Sequence, residues 1–179
     1  MINILSGPVH SGKTTLLKNT LSSLKKQNLT IDGYISEALW EKKEFLGYNL
    51  FDLKSRQSHS FIRKEGKEQW EKIGPFFFLP ETMDLAKKII HRSQKADLCV
   101  VDEVGPLELK GKGVWPALND ALILFKPHFL LIVRGSILDR FLGEIHTNDV
   151  VVYNIEQKIT PSLMAEFILQ NCKKRRKSE

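Results

Sequence analysis

Gly7-Pro8-Val9-His10-Ser11-Gly12-Lys13-Thr14 fits G-x-x-x-x-G-K-[ST], and its setting gives that pattern a physical meaning. It follows a short apolar run, Ile2 to Leu5. It precedes Leu16, Leu17, Leu21 and Leu24, which recur at helical spacing between Lys13 and Lys26. Strand, glycine turn and helix are therefore expected in that order. Glycines let successive backbone N–H groups turn inward around phosphate oxygens, and the helix N-terminus adds the positive end of a dipole. Residues Gly7, Pro8, Val9, His10, Ser11, Gly12, Lys13, Thr14 and Thr15 are the expected phosphate-binding set. Lys13 is expected to reach the β and γ phosphates, Thr14 to ligate Mg²⁺, and the His10 side chain to face solvent. An ordinary glycine turn capping a helix is the rival reading.

The rest of the chain alternates in the same manner. From Thr30 to Arg63, Ile31, Tyr34-Ile35, Phe45, Tyr48, Leu50 and Phe61-Ile62 are separated by polar clusters, which predicts an antiparallel meander over about 30–63. Phe76 to Leu79 reads as a strand, and Pro80 opens a helix carrying Met83, Leu85, Ala86, Ile89 and Ile90, so a strand-helix unit is expected to repeat there. Leu98–Val101, Phe129–Val133 and Val150–Tyr153 are further buried strands. Helices are expected around Val114 to Phe125, around Ile137 to Gly143 and after Thr160-Pro161. Near-continuous apolar strands alternating with helices imply an α/β fold, a mostly parallel sheet sandwiched by helices, with the meander as an antiparallel addition and ligand beyond the strand carboxyl ends. One domain over 1–172 and a basic tail over 173–179 are expected.

Leu98-Cys99-Val100-Val101-Asp102-Glu103 delivers two carboxylates to the end of a strand. Strict alternation would point them to opposite faces unless the strand end twists. Asp102 suits Mg²⁺ coordination. Glu103 suits deprotonation of an attacking water, with a sheet-edge ion pair to a lysine as the alternative. Arg134 follows a buried strand at the same end, where it would stabilise γ-phosphate charge or pair at the sheet edge. Ser36 and Glu37 lie near that edge and would order water or metal, or simply face solvent. Trp40, Trp70, Trp115 and Phe76 to Phe78 are candidates for stacking a base or filling the core.

Gly7-Pro8 with Gly12-Lys13-Thr14-Thr15, then Gly33-Tyr34-Ile35-Ser36-Glu37 with Gly47-Tyr48, then Asp102-Glu103-Val104-Gly105-Pro106-Leu107-Glu108-Leu109 together resemble the thermophile-type, or cancer-related, nucleoside-triphosphatase family. The Asp-Glu-x-Gly-x-x-Glu-Leu element is the distinctive part, and the ordered match spans roughly residues 1 to 155. The resemblance implies a P-loop NTPase domain of the type with an added strand between the two nucleotide motifs. It also implies slow hydrolysis of ATP, GTP and other nucleoside triphosphates, with Glu103 as catalytic base. Leu39 and Phe45 stand where arginines are usual in the family's meander, and no Asn-Arg element follows Asn154.

Composition narrows the remaining choices. The formal charge is +6, but Lys173, Lys174, Arg175, Arg176 and Lys177 against Glu179 supply +4 of it, leaving +2 for residues 1–172. The body therefore lacks the broad positive field of a nucleic-acid binder, and any such contact would rest on the tail. Cys99 and Cys172 form neither a disulfide framework nor a metal motif. Met1 to Leu5 is too short an apolar run for a signal peptide and no apolar stretch approaches about 20 residues, so a cytoplasmic protein without leader or membrane span is expected. The expected activity is that of a Mg²⁺-dependent nucleoside triphosphatase acting on ATP or GTP, with Lys13, Glu103 and Arg134 as catalytic residues. Its rivals are a nucleotide or small-molecule kinase of the same fold, whose arginine lid would rest on Arg56 and Arg63 alone, and a non-enzymatic nucleotide-dependent switch or adaptor. Base preference and oligomeric state are not legible.

Overall fold

The structure is a computed structural model that describes residues 1–124 and 127–176, with side chains described up to Cys172. Phe125 and the side chains of the basic stretch from Lys173 lie outside the described residues. Five strands form the parallel part of the sheet, in the order β2 (Ile31–Glu41), β7 (Leu98–Val104), β8 (His128–Arg134), β1 (Ile2–Gly7) and β9 (Val150–Asn154). β8 lies between β1 and β7, so a strand separates the two nucleotide motifs as expected.

β2 continues into antiparallel pairing with β3 (Glu44–Asp52), which pairs with β4 (Ser58–Arg63). Antiparallel pairing then runs on through β6 (Phe76–Phe78) and β5 (Lys72–Ile73) at the outer edge. The strand-helix repeat expected at Phe76 is thus corrected. The run is followed by a helix, but β6 pairs antiparallel with β4 and is no member of the parallel set. Local sequence cannot separate these cases, because a short apolar run before a proline-capped helix looks the same in both.

Helices cover both faces. α2 (Pro80–Arg92), α3 (Trp115–Leu124) and α4 (Leu138–Glu144) pack on the face presented by Ile2, Ile4, Cys99, Val101, Phe129 and Leu131. α1 (Lys13–Leu24) and α5 (Pro161–Arg176) cover Leu5, Leu98, Val100, Leu130 and Ile132 on the other. Period-2 alternation along each strand divides the core in this way, each buried aliphatic side chain contributing about 2 kcal/mol by removal from water. Thr160 accepts the Leu163 N–H at 3.2 Å, the cap its sequence promised for α5.

Two further devices fix β2 beside the site. Gly33 has φ +122, and a Cβ there would lie 2.0 Å from the Val100 carbonyl oxygen, so only glycine lets β2 meet β7 at this point. Arg92 at the end of α2 donates to Asp32 of β2 at 2.7 Å and to Asp52 of β3 at 2.6 Å. Both carboxylates are buried, and the forked guanidinium satisfies the two at once.

Candidate active site

The loop between β1 and α1 turns as the motif requires. Gly12 takes φ +89 and His10 φ +60, so two left-handed residues curl the backbone ahead of α1. Lys13 is buried at the first turn of α1 and donates across the loop to the Gly7 carbonyl at 3.1 Å and to the Pro8 carbonyl. Burial draws its ammonium pKa down and Arg134 adds to that, against the charges of Glu103 and Asp102, which hold it up. Ser11 Oγ closes the turn on the Pro8 carbonyl at 2.8 Å. His10 is exposed as expected, yet its ring stands edge-on to Phe45 at 6.1 Å.

Asp102 is wholly buried opposite α1. Its Oδ2 accepts the Ser36 N–H at 3.0 Å and lies 3.4 Å from the Thr14 hydroxyl, and its Oδ1 accepts the Glu103 N–H at 2.9 Å. Burial raises its carboxyl far above the ordinary range and the neighbouring Glu103 charge adds to that, while the three hydrogen bonds pull back. A buried carboxylate beside a hydroxyl has the donor chemistry for a hard divalent cation, which would relieve that cost. Among the described residues no three His, Cys, Asp or Glu side chains gather to hold a metal alone.

Glu103 reaches the site through a bulge. In the β7 to β8 pairing Val101 faces Leu131 and Val104 faces Val133, so Asp102 and Glu103 together oppose Ile132. Val101 and Val104 consequently both pack under α2 and α3, which strict alternation forbids. The inserted residue, Glu103, carries φ +67, a left-handed backbone costing about 1–2 kcal/mol for a residue with a Cβ. Its carboxylate lies 3.7 Å from the Arg134 guanidinium. Arg134 ends β8 directly beside Gly7, and its Nε is buried without a hydrogen-bond partner.

Other sequence candidates separate here. Ser36 contributes its backbone N–H to Asp102 and lines the phosphate pocket, as does Glu37, whose carboxylate is engaged there by Lys18 at 2.6 Å. Trp115 packs edge-on to Phe141 in the core, and Trp40 lies against Phe45 at 5.1 Å. Arg63 is committed to Tyr48, Asn49, Ser60 and its own strand, which leaves it no role as a lid.

Sequence reasoning missed Glu108 as an individual residue. It is buried, with Oε2 accepting the Gly105 N–H at 2.8 Å and Oε1 the Val114 N–H at 3.3 Å, so one carboxylate ties together both ends of the 105–114 loop. Burial pushes its carboxyl up to about 7 despite those bonds. Its signal was the fixed spacing after Asp102-Glu103, a second acid with no partner cation in sequence. Also missed was the role of Phe45, Tyr48 and Phe61, which with Phe76 line an apolar cavity next to Glu103.

With this geometry in place, the comparisons with known proteins are specific. A family model described as NTPase matches residues 3–167. Nucleoside-triphosphatase THEP1 of Hyperthermus butylicus is 26% identical over 140 residues, which cover 78% of this chain and 74% of that one. The crystal structure of THEP1 from the hyperthermophile Aquifex aeolicus superposes with a TM-score of 0.69 at 19% identity, covering 96% of each chain. The solution structure of a human cancer-related nucleoside triphosphatase gives 0.68 at 19% identity, covering 98% of this chain and 97% of the other.

Proposed function

The chain belongs to the NTPase family and is a nucleoside-triphosphate-hydrolysing enzyme, and from that premise we propose that it cleaves ATP, GTP and other nucleoside triphosphates to the diphosphate and phosphate with Mg²⁺. Lys13 and the loop amides of Gly7 to Thr15 hold the phosphates. Thr14 and Asp102 would hold the metal, which when bound would supply positive charge to the phosphates. Glu103 orients water and accepts its proton as the oxygen attacks in line, and Arg134 meets charge developing on the γ-phosphate. Residues 1–172 act in this as one domain, on free nucleotide in the cytoplasm and without a membrane.

One observation carries the reading. The bulge at Asp102-Glu103 sets one carboxylate against Thr14 while the next lines the pocket of Lys13. An adaptor that only binds nucleotide needs the first of these and has no use for the strained second. Phosphate release from ATP, GTP, CTP and UTP, with Mg²⁺ and then with excess chelator, tests the proposal. Release from more than one nucleotide, abolished by chelator and by Lys13→Ala, is expected. Tight binding without release, or release indifferent to chelator, overturns it.

A further inference from the structure

Glu103 has two sides. One faces the polar phosphate pocket with Lys13 and Thr14. The other faces a cavity of about 280 Å³ whose walls include Phe45, Tyr48, Phe61, Phe76, Phe78 and Met83. His10, Tyr48 and Glu103 line both spaces, so the two are continuous at the carboxylate. Arg134 lines the apolar one. An attacking water needs a single polar berth. An aromatic-walled space of this size suits a ring instead, since an apolar cavity of about 150 Å³ already accepts benzene. A ring with a short arm fits the remainder.

Position settles what such a molecule would do. In an in-line displacement the attacking atom lies on the γ side, opposite the leaving diphosphate. The cavity adjoins the residue proposed to activate that atom, whereas the nucleotide's sugar and base hang from the far end of the phosphate chain. Its few polar groups also suit the task. The Tyr48 phenol, neutral at neutral pH and pushed further up to about 12 by burial, is a hydrogen-bond donor, and Arg134 offers charge where the product's phosphate would sit. Glu108 keeps the 105–114 wall of the cavity in place.

We infer that this cavity is an acceptor site for a small aromatic or heteroaromatic molecule bearing a primary hydroxyl, to which the chain transfers the γ-phosphoryl group. The inference rests on the proposed role of Glu103. The alcohol oxygen bonds to the γ-phosphorus, the bond from phosphorus to the β–γ bridging oxygen breaks, and the hydroxyl proton passes to Glu103 and on to solvent. The products are the nucleoside diphosphate and a phosphate monoester, and hydrolysis is the same step with water in the alcohol's place.

Benzyl alcohol is the probe. In protein carrying 13C-methyl methionine, the Met83 methyl signal is expected to move on titration with millimolar benzyl alcohol, while those of Met1 and Met164, which do not line the cavity, stay. With Mg²⁺ and ATP, 31P spectra are expected to show benzyl phosphate matching the ADP formed beyond hydrolysis. Ile73→Trp, at the cavity wall on the outer strand, is expected to lower ester formation about tenfold while hydrolysis changes less than about twofold, with Ile73→Phe as the milder variant should the first not fold. A still Met83 signal, a moved signal without ester, or a raised KM for ATP in place of transfer overturns the acceptor site while hydrolysis continues. Loss of hydrolysis itself in the wild-type chain is the separate failure of the reading beneath it.

Discussion

The backbone of Glu103 offers a test in which the expected sign is opposite to habit. Glu103→Ala removes the carboxylate and its 3.7 Å approach to Arg134 but keeps the Cβ, whereas Glu103→Gly removes the Cβ as well. The difference between the two variants therefore isolates the φ of +67. In the folded chain glycine escapes about 1–2 kcal/mol of left-handed strain, and in the unfolded chain it gives back about 0.5–1 kcal/mol through extra freedom. Glu103→Gly is thus expected to be the more stable by about 0.5–1 kcal/mol, a Tm difference of about 1–4 °C for a chain of this size. Urea and thermal unfolding followed by tryptophan fluorescence measure it, and both variants are expected to have lost phosphate release. Equal stability, or alanine above glycine as in an ordinary strand, would refute the bulge as the device that aims Glu103.

Two further outcomes concern groups that hold the site in shape. Glu108 titrates at about 7 when folded against an ordinary 4.5, so between those values the folded chain keeps a proton that the unfolded chain has lost. Its contribution is full below about pH 4.5 and is lost as pH rises through about 7, at most about 3 kcal/mol over the window. Urea midpoints measured across that range are expected to fall more steeply for the wild-type chain than for Glu108→Gln, and parallel profiles would contradict the burial argument. Arg92→Ala leaves the buried Asp32 and Asp52 facing each other's charge, which costs about 3 kcal/mol at neutral pH. Burial alone would raise Asp52, but the hydrogen bonds from Arg92, Ser55 and the backbone hold it at about 2. Its stabilising part is therefore present above about 3.8 and fades as pH falls toward 2, so the variant's deficit in urea is expected to shrink across that interval.

The phosphate loop was legible because its information is contiguous. The glycines, Lys13 and Thr14 lie in one segment between a strand and a helix, and nothing distant is needed to recognise it. Asp102 and Arg134 were legible for a related reason, as polar residues ending apolar strands. The way Glu103 reaches the site was not, since a bulge formed by a non-glycine residue leaves no mark on alternation until the partner strand is known. Phe76 to Phe78 misled because pairing with β4 is a long-range choice. Glu108 and the apolar cavity were hidden for the same cause. Both depend on the closure of the 105–114 loop against strands drawn from residues 34–78.

In the proposed reaction Glu103 is the base, Lys13 holds the phosphates, and Thr14 and Asp102 would hold the metal. Glu103→Gln keeps size and hydrogen bonding but cannot take a proton at neutral pH. Single-turnover cleavage of ATP, measured beside equilibrium binding of ATP with Mg²⁺, separates these roles. Cleavage slowed about 10²- to 10⁴-fold with binding within about threefold of wild type is the predicted result. Cleavage that continues at the wild-type rate while binding is unchanged would contradict it.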